Sequence, residues 1–528
     1  MLRSRRVLLF AVLCSLGLIV AACTSGKHRS PQPTATPSSS STASSSAPAS
    51  PAAQVPANLD FSDCSDQFQT AINTAAAKRM TFSCGKLAVP LSYADPTGKT
   101  IQLFVLKVHA KSQKPADKLG SLLVNPGGPG ESGINLAAGL VSALSSDIFA
   151  HFDLIGFDPR GVGLSSPLEC LSDQEKDQLV AADPDVRTAA GRAAVKAAAT
   201  KVATDCSRKY GPALADYNTV ETAEDMDVIR RAVGDDKLNY LGFSYGTRLG
   251  AAYAHEFPTN IRTEVLDGAL DPGTSFVDFL AQQTKSLEAA FDQFATDCLH
   301  RPACAKLRNP RAAVQSLIAS ADRTPIPSSR KGETRRATGG VVTLAVVAAL
   351  YDQSQWVPLG NALLQAERGD SSGLFSLADA YNNRDPATGH YTNVLDAETA
   401  INCNDTTFRP TDSMVASTAR QWVSKYPLFG KSSAASLYEC FDWPESGHPL
   451  PPAAAPGAPP ILVVGTVHDP ITPYPQATAL AKALGTGVVL SWAGEGHTAY
   501  PKTSCIRTKV DGYLLTAKPP AVDSCPLS

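Results

Sequence analysis

A chain of 528 residues, 43 % of them apolar, carries enough apolar material for a large core, built as one elaborated domain or as a domain with a sizeable insertion. Its 47 basic and 49 acidic residues leave a net charge of −2, so no overall field draws a polyanion, which argues against nucleic acid as a partner.

The chain opens with Arg3, Arg5 and Arg6, followed by an apolar run from Val7 to Val20 that ends in Val20-Ala21-Ala22-Cys23. The run is too short for a full membrane span with flanks, and residues 1–22 read as a secretory signal. Small residues before a cysteine resemble the bacterial lipobox, in which the Cys23 thiol is acylated and becomes the new N-terminus; the alternative is an ordinary signal with a chance cysteine. Arg5-Arg6 fits a twin-arginine signal only in part, so the export route stays open. Residues 23–57 are dominated by Ser, Thr, Pro and Ala and cannot build a core. They read as a tether that holds a folded domain off the outer face of the cytoplasmic membrane, from which it could also be released. The tether's hydroxyls are open to O-linked sugars.

From about Phe82 the pattern is extended. Lys86–Tyr93 and Ile101–Val108 alternate as an antiparallel hairpin, and Ser121–Val124 is an apolar strand running into the glycine-rich loop Asn125-Pro-Gly-Gly-Pro-Gly130. Phe152–Phe157 is a further buried strand, ending in Asp158-Pro-Arg-Gly-Val-Gly-Leu-Ser165. Met226, Ile229 and Val233 recur at helical spacing behind the cap candidates Asn218 and Thr219, and the strand Leu238–Phe243 follows. A helix over Thr247–Phe257 and a strand over Thr263–Asp267 complete an alternation that implies a mostly parallel sheet covered on both faces, an α/β class. The alternation lapses between about Asp271 and Ala458, which reads as an inserted, mainly helical cap. It returns with two last strands, Pro460–Gly465 and Gly487–Trp492, and a closing helix near Thr508–Leu515. The expected division is a core over 58–270, a cap over 271–458 and the rest of the core over 459–528.

Of twelve cysteines, Cys14 leaves with the signal and Cys23 goes to lipid, so ten remain: Cys64, Cys84, Cys170, Cys206, Cys298, Cys304, Cys403, Cys440, Cys505 and Cys525. An even number in an exported chain favours disulfides, and pairing of sequential neighbours is the simplest arrangement, although sequence does not fix connectivity. No CxxC pair or Cys/His cluster with zinc spacing competes for them, and no metal is expected.

Gly242-Phe-Ser-Tyr-Gly246 matches G-x-S-x-G, a pattern that chance supplies in roughly one chain of this length in five. Its setting is more specific, because a strand precedes it and a helix follows, as a nucleophile elbow at Ser244 requires. A serine hydroxyl needs a base within reach and a third group to orient that base. Asp469, just past a late strand in Gly465-Thr-Val-His-Asp-Pro470, and His497, past the last one in Gly494-Glu-Gly-His497, stand in the expected order. His468 is a rival base on the acid's own loop, and Asp442 and Glu495 are fallback acids. His255, His300, His390 and His448 lack a late-strand setting. The amide of Tyr245 and one from the early loop, where Gly127 or Gly128 lets backbone approach, are the expected oxyanion donors, with Gly128 preferred. Asp158 and Arg160 read as structural, and Gly161-Val-Gly163 lacks the third glycine of a dinucleotide fingerprint, so no cofactor is expected.

Together the four motifs Asn125–Gly130, Asp158–Gly163, Gly242–Gly246 and Gly494–His497 resemble the proline-iminopeptidase-related serine peptidases, above all the secreted tripeptidyl-aminopeptidase (TAP-like) branch. The likeness runs from about residue 60 to the end. It implies an α/β-hydrolase fold with a helical cap, Ser244, Asp469 and His497 as the triad, no metal or cofactor, and release of short units from free N-termini of peptide or small protein substrates. Pro126 departs from the family, where many members carry His. An exopeptidase must also bind the substrate ammonium, and Asp405, in Ile401-Asn-Cys-Asn-Asp405, is the candidate carboxylate. Two other readings stay open: a carboxylesterase or lipase on the same triad, and a non-catalytic surface lipoprotein that kept the fold for binding.

Overall fold

The computed structural model describes residues 59–301, 304–444 and 447–527, so the signal, Cys23 and the tether lie outside the described residues. Its centre is a ten-stranded sheet in the order β1-β2-β3-β5-β4-β6-β7-β8-β9-β10. The strands are β1 (Phe61–Asp63), β2 (Met80–Pro90), β3 (Thr100–Ala110), β4 (Gly120–Asn125), β5 (Phe152–Phe157), β6 (Leu238–Phe243), β7 (Ile261–Asp267), β8 (Ile461–His468), β9 (Gly487–Glu495) and β10 (Ser524–Cys525). The β2–β3 hairpin pairs in register from Met80↔Ala110 to Pro90↔Thr100, and from β5 onward every pairing along the sheet is parallel.

The parallel strands are buried on both faces because successive side chains enter two different cores. Tyr240 and Val463 pack in one core; Leu241, Phe243, Leu462 and Val464 pack in the other. This two-sided burial explains why these strands read as near-continuous apolar runs.

The two late strands expected from sequence are β8 and β9, but they are not the last. β10 lies parallel to β9 beyond them, held to the closing helix Ser504–Thr516 by the Cys505–Cys525 disulfide. Two residues are too few for any periodicity to announce the strand. The other described bridges, Cys64–Cys84, Cys170–Cys206, Cys298–Cys304 and Cys403–Cys440, also join sequential neighbours.

Between Phe276 and Ser436 the chain is helical and forms its own core around Phe291, Val346, Trp356 and Leu363. Two earlier helices, Asp173–Ala181 and Ala189–Tyr210, pack with this layer. Gly340 lies so close to the first that a Cβ there would fall 2.5 Å from Ala182 O, and Lys176 forms a buried 2.7 Å ion pair with Asp396. The second helix is mainly alanine and charge, with no apolar stripe to mark it in the sequence.

Candidate active site

The chain leaves β6 at Phe243, turns at Ser244 with φ 54° and ψ −123°, and enters the helix Tyr245–Glu256. Positive φ at a non-glycine residue costs about 1–3 kcal/mol and persists only where the surroundings over-determine it. Here the Ser244 N–H donates to Asp267 O at 2.9 Å, and Ser244 O accepts from the amide and hydroxyl of Thr247 at 2.8 and 2.7 Å. The flanking glycines are required by space: a Cβ on Gly242 would lie 2.4 Å from Gly246 O, and one on Gly246 would lie 2.8 Å from Asn125 Oδ1.

The early glycine-rich loop presses directly on this turn. Gly127, at φ +100°, approaches so closely that a Cβ would meet Phe243 O at 2.5 Å and both Ser244 Cβ and Tyr245 N at 2.9 Å. Its own N–H is bonded to Asn125 Oδ1 at 2.9 Å, so of the two loop glycines the donor left for a ligand is Gly128. The amide of Tyr245 is the first of its helix and has no carbonyl one turn back to bond.

Asp469 directly follows β8 and is 2 % exposed. Its Oδ1 accepts from the amides of Ile471 (2.8 Å) and Thr472 (2.9 Å), and its Oδ2 from the Thr472 hydroxyl (3.0 Å) and Thr498 N (3.2 Å). His497 Nδ1 lies 2.9 and 3.0 Å from the two oxygens. Burial by itself raises this carboxyl, but the imidazole and the amides outweigh it and hold the group below the ordinary carboxylate range. A carboxylate at Nδ1 selects the tautomer that leaves Nε2 as the basic nitrogen.

The ring of His497 is buried against Tyr351, edge to face at 5.3 Å, and its backbone N–H bonds Tyr351 O at 2.8 Å. Gly268 closes the gap to the serine. Its predecessor Asp267 accepts the Ser244 N–H, and a Cβ on Gly268 would lie 3.0 Å from His497 Cε1. The Asp267 carboxylate holds the far side of the base's loop through Ala499 N (3.0 Å) and Tyr500 N (2.7 Å), and burial pushes it up to about 6. The structure thus brings Ser244, Asp469, His497, Tyr245 and the 125–130 loop to one place at the ends of β4, β6, β7, β8 and β9.

The rival residues lie elsewhere. His468 and Glu495 bond each other at 2.5 Å with the imidazole 48 % exposed, while Asp442 accepts from Thr200. Arg160 is structural, though through buried carboxylates as well as backbone: it bonds Asp225 at 2.7 and 2.8 Å, Glu221 at 3.1 Å, and Leu91 O and Asp216 O.

Asp405 requires a correction. Rather than facing an incoming ammonium, it is buried with both oxygens taken by one residue, Oδ1 by Thr219 N at 2.9 Å and Oδ2 by the Thr219 hydroxyl at 2.6 Å. A desolvated carboxyl with little compensation is Glu439. Glu439 is partly buried, and desolvation of its carboxyl pushes it up to about 8; it receives a single 3.4 Å bond from Asn402, and its Oε2 has no partner among the described residues. Glu398, 6 % exposed, lies one turn before Asn402 on the helix Val394–Asn404. That helix touches the early loop so closely that a Cβ on Gly130 would meet Val394 O at 2.7 Å and Glu398 N at 3.2 Å. Sequence offered no signal for Glu439, because a glutamate in a helical region is normally solvated.

Residues 120–500 match the family described as alpha/beta hydrolase fold. The chain is 39 % identical to "Serine protease Hip1" of Mycobacterium tuberculosis, covering 84 % of this chain and 87 % of that protein. It is 34 % identical to "Carboxylesterase B" of the same organism, over 82 % and 84 %. With "Tripeptidyl aminopeptidase" of Streptomyces lividans it shares 30 % identity over 88 % and 86 %.

Proposed function

The chain belongs to the alpha/beta hydrolase family, and from that premise we propose that it is a serine peptidase that removes short units from free peptide N-termini through an acyl-enzyme on Ser244. The hydrolase half of this reading rests on the elbow at Ser244 beside the buried Asp469–His497 pair. The N-terminal preference is carried by one observation, the desolvated and poorly compensated carboxyl of Glu439.

In the reaction the Ser244 hydroxyl attacks the scissile carbonyl while His497 Nε2 takes its proton. Asp469 keeps the imidazole in the productive tautomer and stabilises the imidazolium. The N–H groups of Tyr245 and Gly128 receive the oxyanion, each contributing about 3–4 kcal/mol by analogy with measured donors. His497 then protonates the departing amine, and water repeats the cycle on the ester. The substrate ammonium sits at Glu439, where a cation compensates a carboxyl that desolvation otherwise keeps protonated.

The test is fluorophosphonate labelling, followed by assay of peptide amides with free and acetylated N-termini beside short and long acyl esters. Labelling of the wild type that vanishes in Ser244→Ala, with turnover confined to free N-termini, is the expected result. Glu439→Gln raises KM for free-amine peptides by about 10- to 100-fold and leaves ester turnover unchanged. The carboxylesterase reading, suggested by one relative's name, predicts turnover of esters or blocked peptides alone. Absence of labelling would favour a binding protein. We further propose that residues 1–22 export the chain and that lipid on Cys23 holds it at the outer face of the cytoplasmic membrane. That reading is supported by Arg3 to Cys23 and tested by radiolabelled palmitate incorporation, which Cys23→Ala abolishes.

A further inference from the structure

We propose that Asp405 is a positioning residue that acts through the Thr219 hydroxyl to aim the backbone N–H of Tyr245 at the oxyanion. Three residues from three elements form one directed chain. The Thr219 hydroxyl lies 2.6 Å from Asp405 Oδ2 and 2.5 Å from the Tyr245 hydroxyl. An ionised carboxylate only accepts, so Thr219 gives it the one proton it has, and the Tyr245 hydroxyl must donate to Thr219. The Thr219 amide, at the start of the helix Thr219–Ala232, closes the arrangement on Asp405 Oδ1 at 2.9 Å. All three side chains are buried, so water does not replace any link.

Tyr245 is held by the far end of its ring, and its N–H is the donor nearest the nucleophile in the chain. Rotating or translating that ring moves the first turn of the elbow helix, and an oxyanion donor loses most of its effect when its direction drifts. Asp405 is in turn anchored. It caps the helix Val394–Asn404, two residues past Cys403, which the disulfide to Cys440 ties down. The other charged group facing Asp405 is Arg248 on the elbow helix, with Asp271 beyond it. Arg248 stacks over the Tyr245 ring at 6.0 Å, and its Nε and Nη1 have no hydrogen-bond partner among the described residues. Burial pushes the Asp405 carboxyl up to about 6, against the Thr219 bonds and Arg248. Once protonated, Asp405 becomes a donor itself and no longer presents two charged acceptors to Thr219, which weakens the bonds that fix the direction of the chain.

The experiment uses the full chain and measures kcat and KM on p-nitrophenyl acetate and on a peptide amide between pH 4.5 and 9, together with the rate of fluorophosphonate labelling. Asp405→Asn, Thr219→Val and Tyr245→Phe are each expected to lower kcat about tenfold on both substrates, with KM changed less than about threefold. Thr219→Ser restores what Thr219→Val loses, and Asp405→Asn removes an acid-side inflection near pH 6. Should Asp405→Asn fail to fold, Tyr245→Phe decides alone, because it deletes one hydroxyl and keeps ring and amide. Unchanged kcat in Tyr245→Phe, or a loss in Thr219→Val that Thr219→Ser does not restore, overturns the proposal. Because the ester needs no ammonium site, this outcome is independent of the N-terminal preference. Loss of Ser244 as the labelled residue would instead strike the nucleophile itself.

Discussion

The ends of the parallel strands and the helical layer above them both bury carboxylates, with opposite results. At the strand ends Asp469 is enclosed yet held below the usual range, because an imidazole, three backbone amides and a threonine hydroxyl converge on it. In the helical layer Glu439 is less enclosed as a residue, but its carboxyl meets a single weak donor, and it rises to about 8. Burial therefore does not decide the charge; the donors that come with it do. One region keeps an anion beside the imidazole, and the other keeps an acid, which is the property that the proposed ammonium site would use.

The largest test of this contrast is Asp469→Asn. The amide keeps the shape and removes the charge and the tautomer control, so kcat is expected to fall about 10³- to 10⁴-fold on any substrate. Next is Asp225→Ala in the sheet's lower core, where Arg160 is wholly buried and depends on that carboxylate. Removing its bidentate partner, with only Glu221 left to balance the guanidinium, should cost about 3 kcal/mol of stability, read from the urea midpoint.

Uncompensated acids should behave in the reverse sense. The native state binds a proton at Glu439 between the ordinary glutamate range and about pH 8, where the unfolded chain does not, so stability falls as pH rises through that window. Relative to Glu439→Gln, the wild type should lose about 1.4 kcal/mol per pH unit between about pH 5 and 8 and change little outside it. Asp469 works the other way: its contribution is present above about pH 4 and disappears as pH falls through its depressed value. The same sense is expected at Glu264, fully buried in β7 with neither carboxyl oxygen bonded among the described residues and raised well above its ordinary value. Relative to the wild type, Glu264→Gln should change little at pH 4 and gain stability progressively as pH rises above the ordinary glutamate range, measured by paired urea titrations.

Much of the strand-end region was legible because its signals are local. Strand, Gly242-Phe-Ser-Tyr-Gly246 and helix lie within nineteen residues, from Leu238 to Glu256, and Asp469 and His497 each directly follow a strand or its turn. Asn125 and Gly127 are two residues apart, so the loop that presses on Ser244 also announced itself. The cap resisted for the opposite reason. Asp405 looked like an available anion, but its partner Thr219 is 186 positions away in the chain. The support of His497 by Tyr351 and Asp267 spans long separations too, and the alanine-rich helix Ala189–Tyr210 has no stripe for periodicity to find.

The sequence by itself determined the order of the strands and helices around the site, the sharp turn at Ser244 and the even set of cysteines, because backbone sterics and side-chain period act over a few residues. Tertiary structure alone decided which acids meet donors and which do not, Asp405 bonded to Thr219 and Glu439 left with one weak donor. The reason is range: a hydrogen bond acts only at contact, so a carboxyl's state depends on donors the fold delivers from elsewhere in the chain.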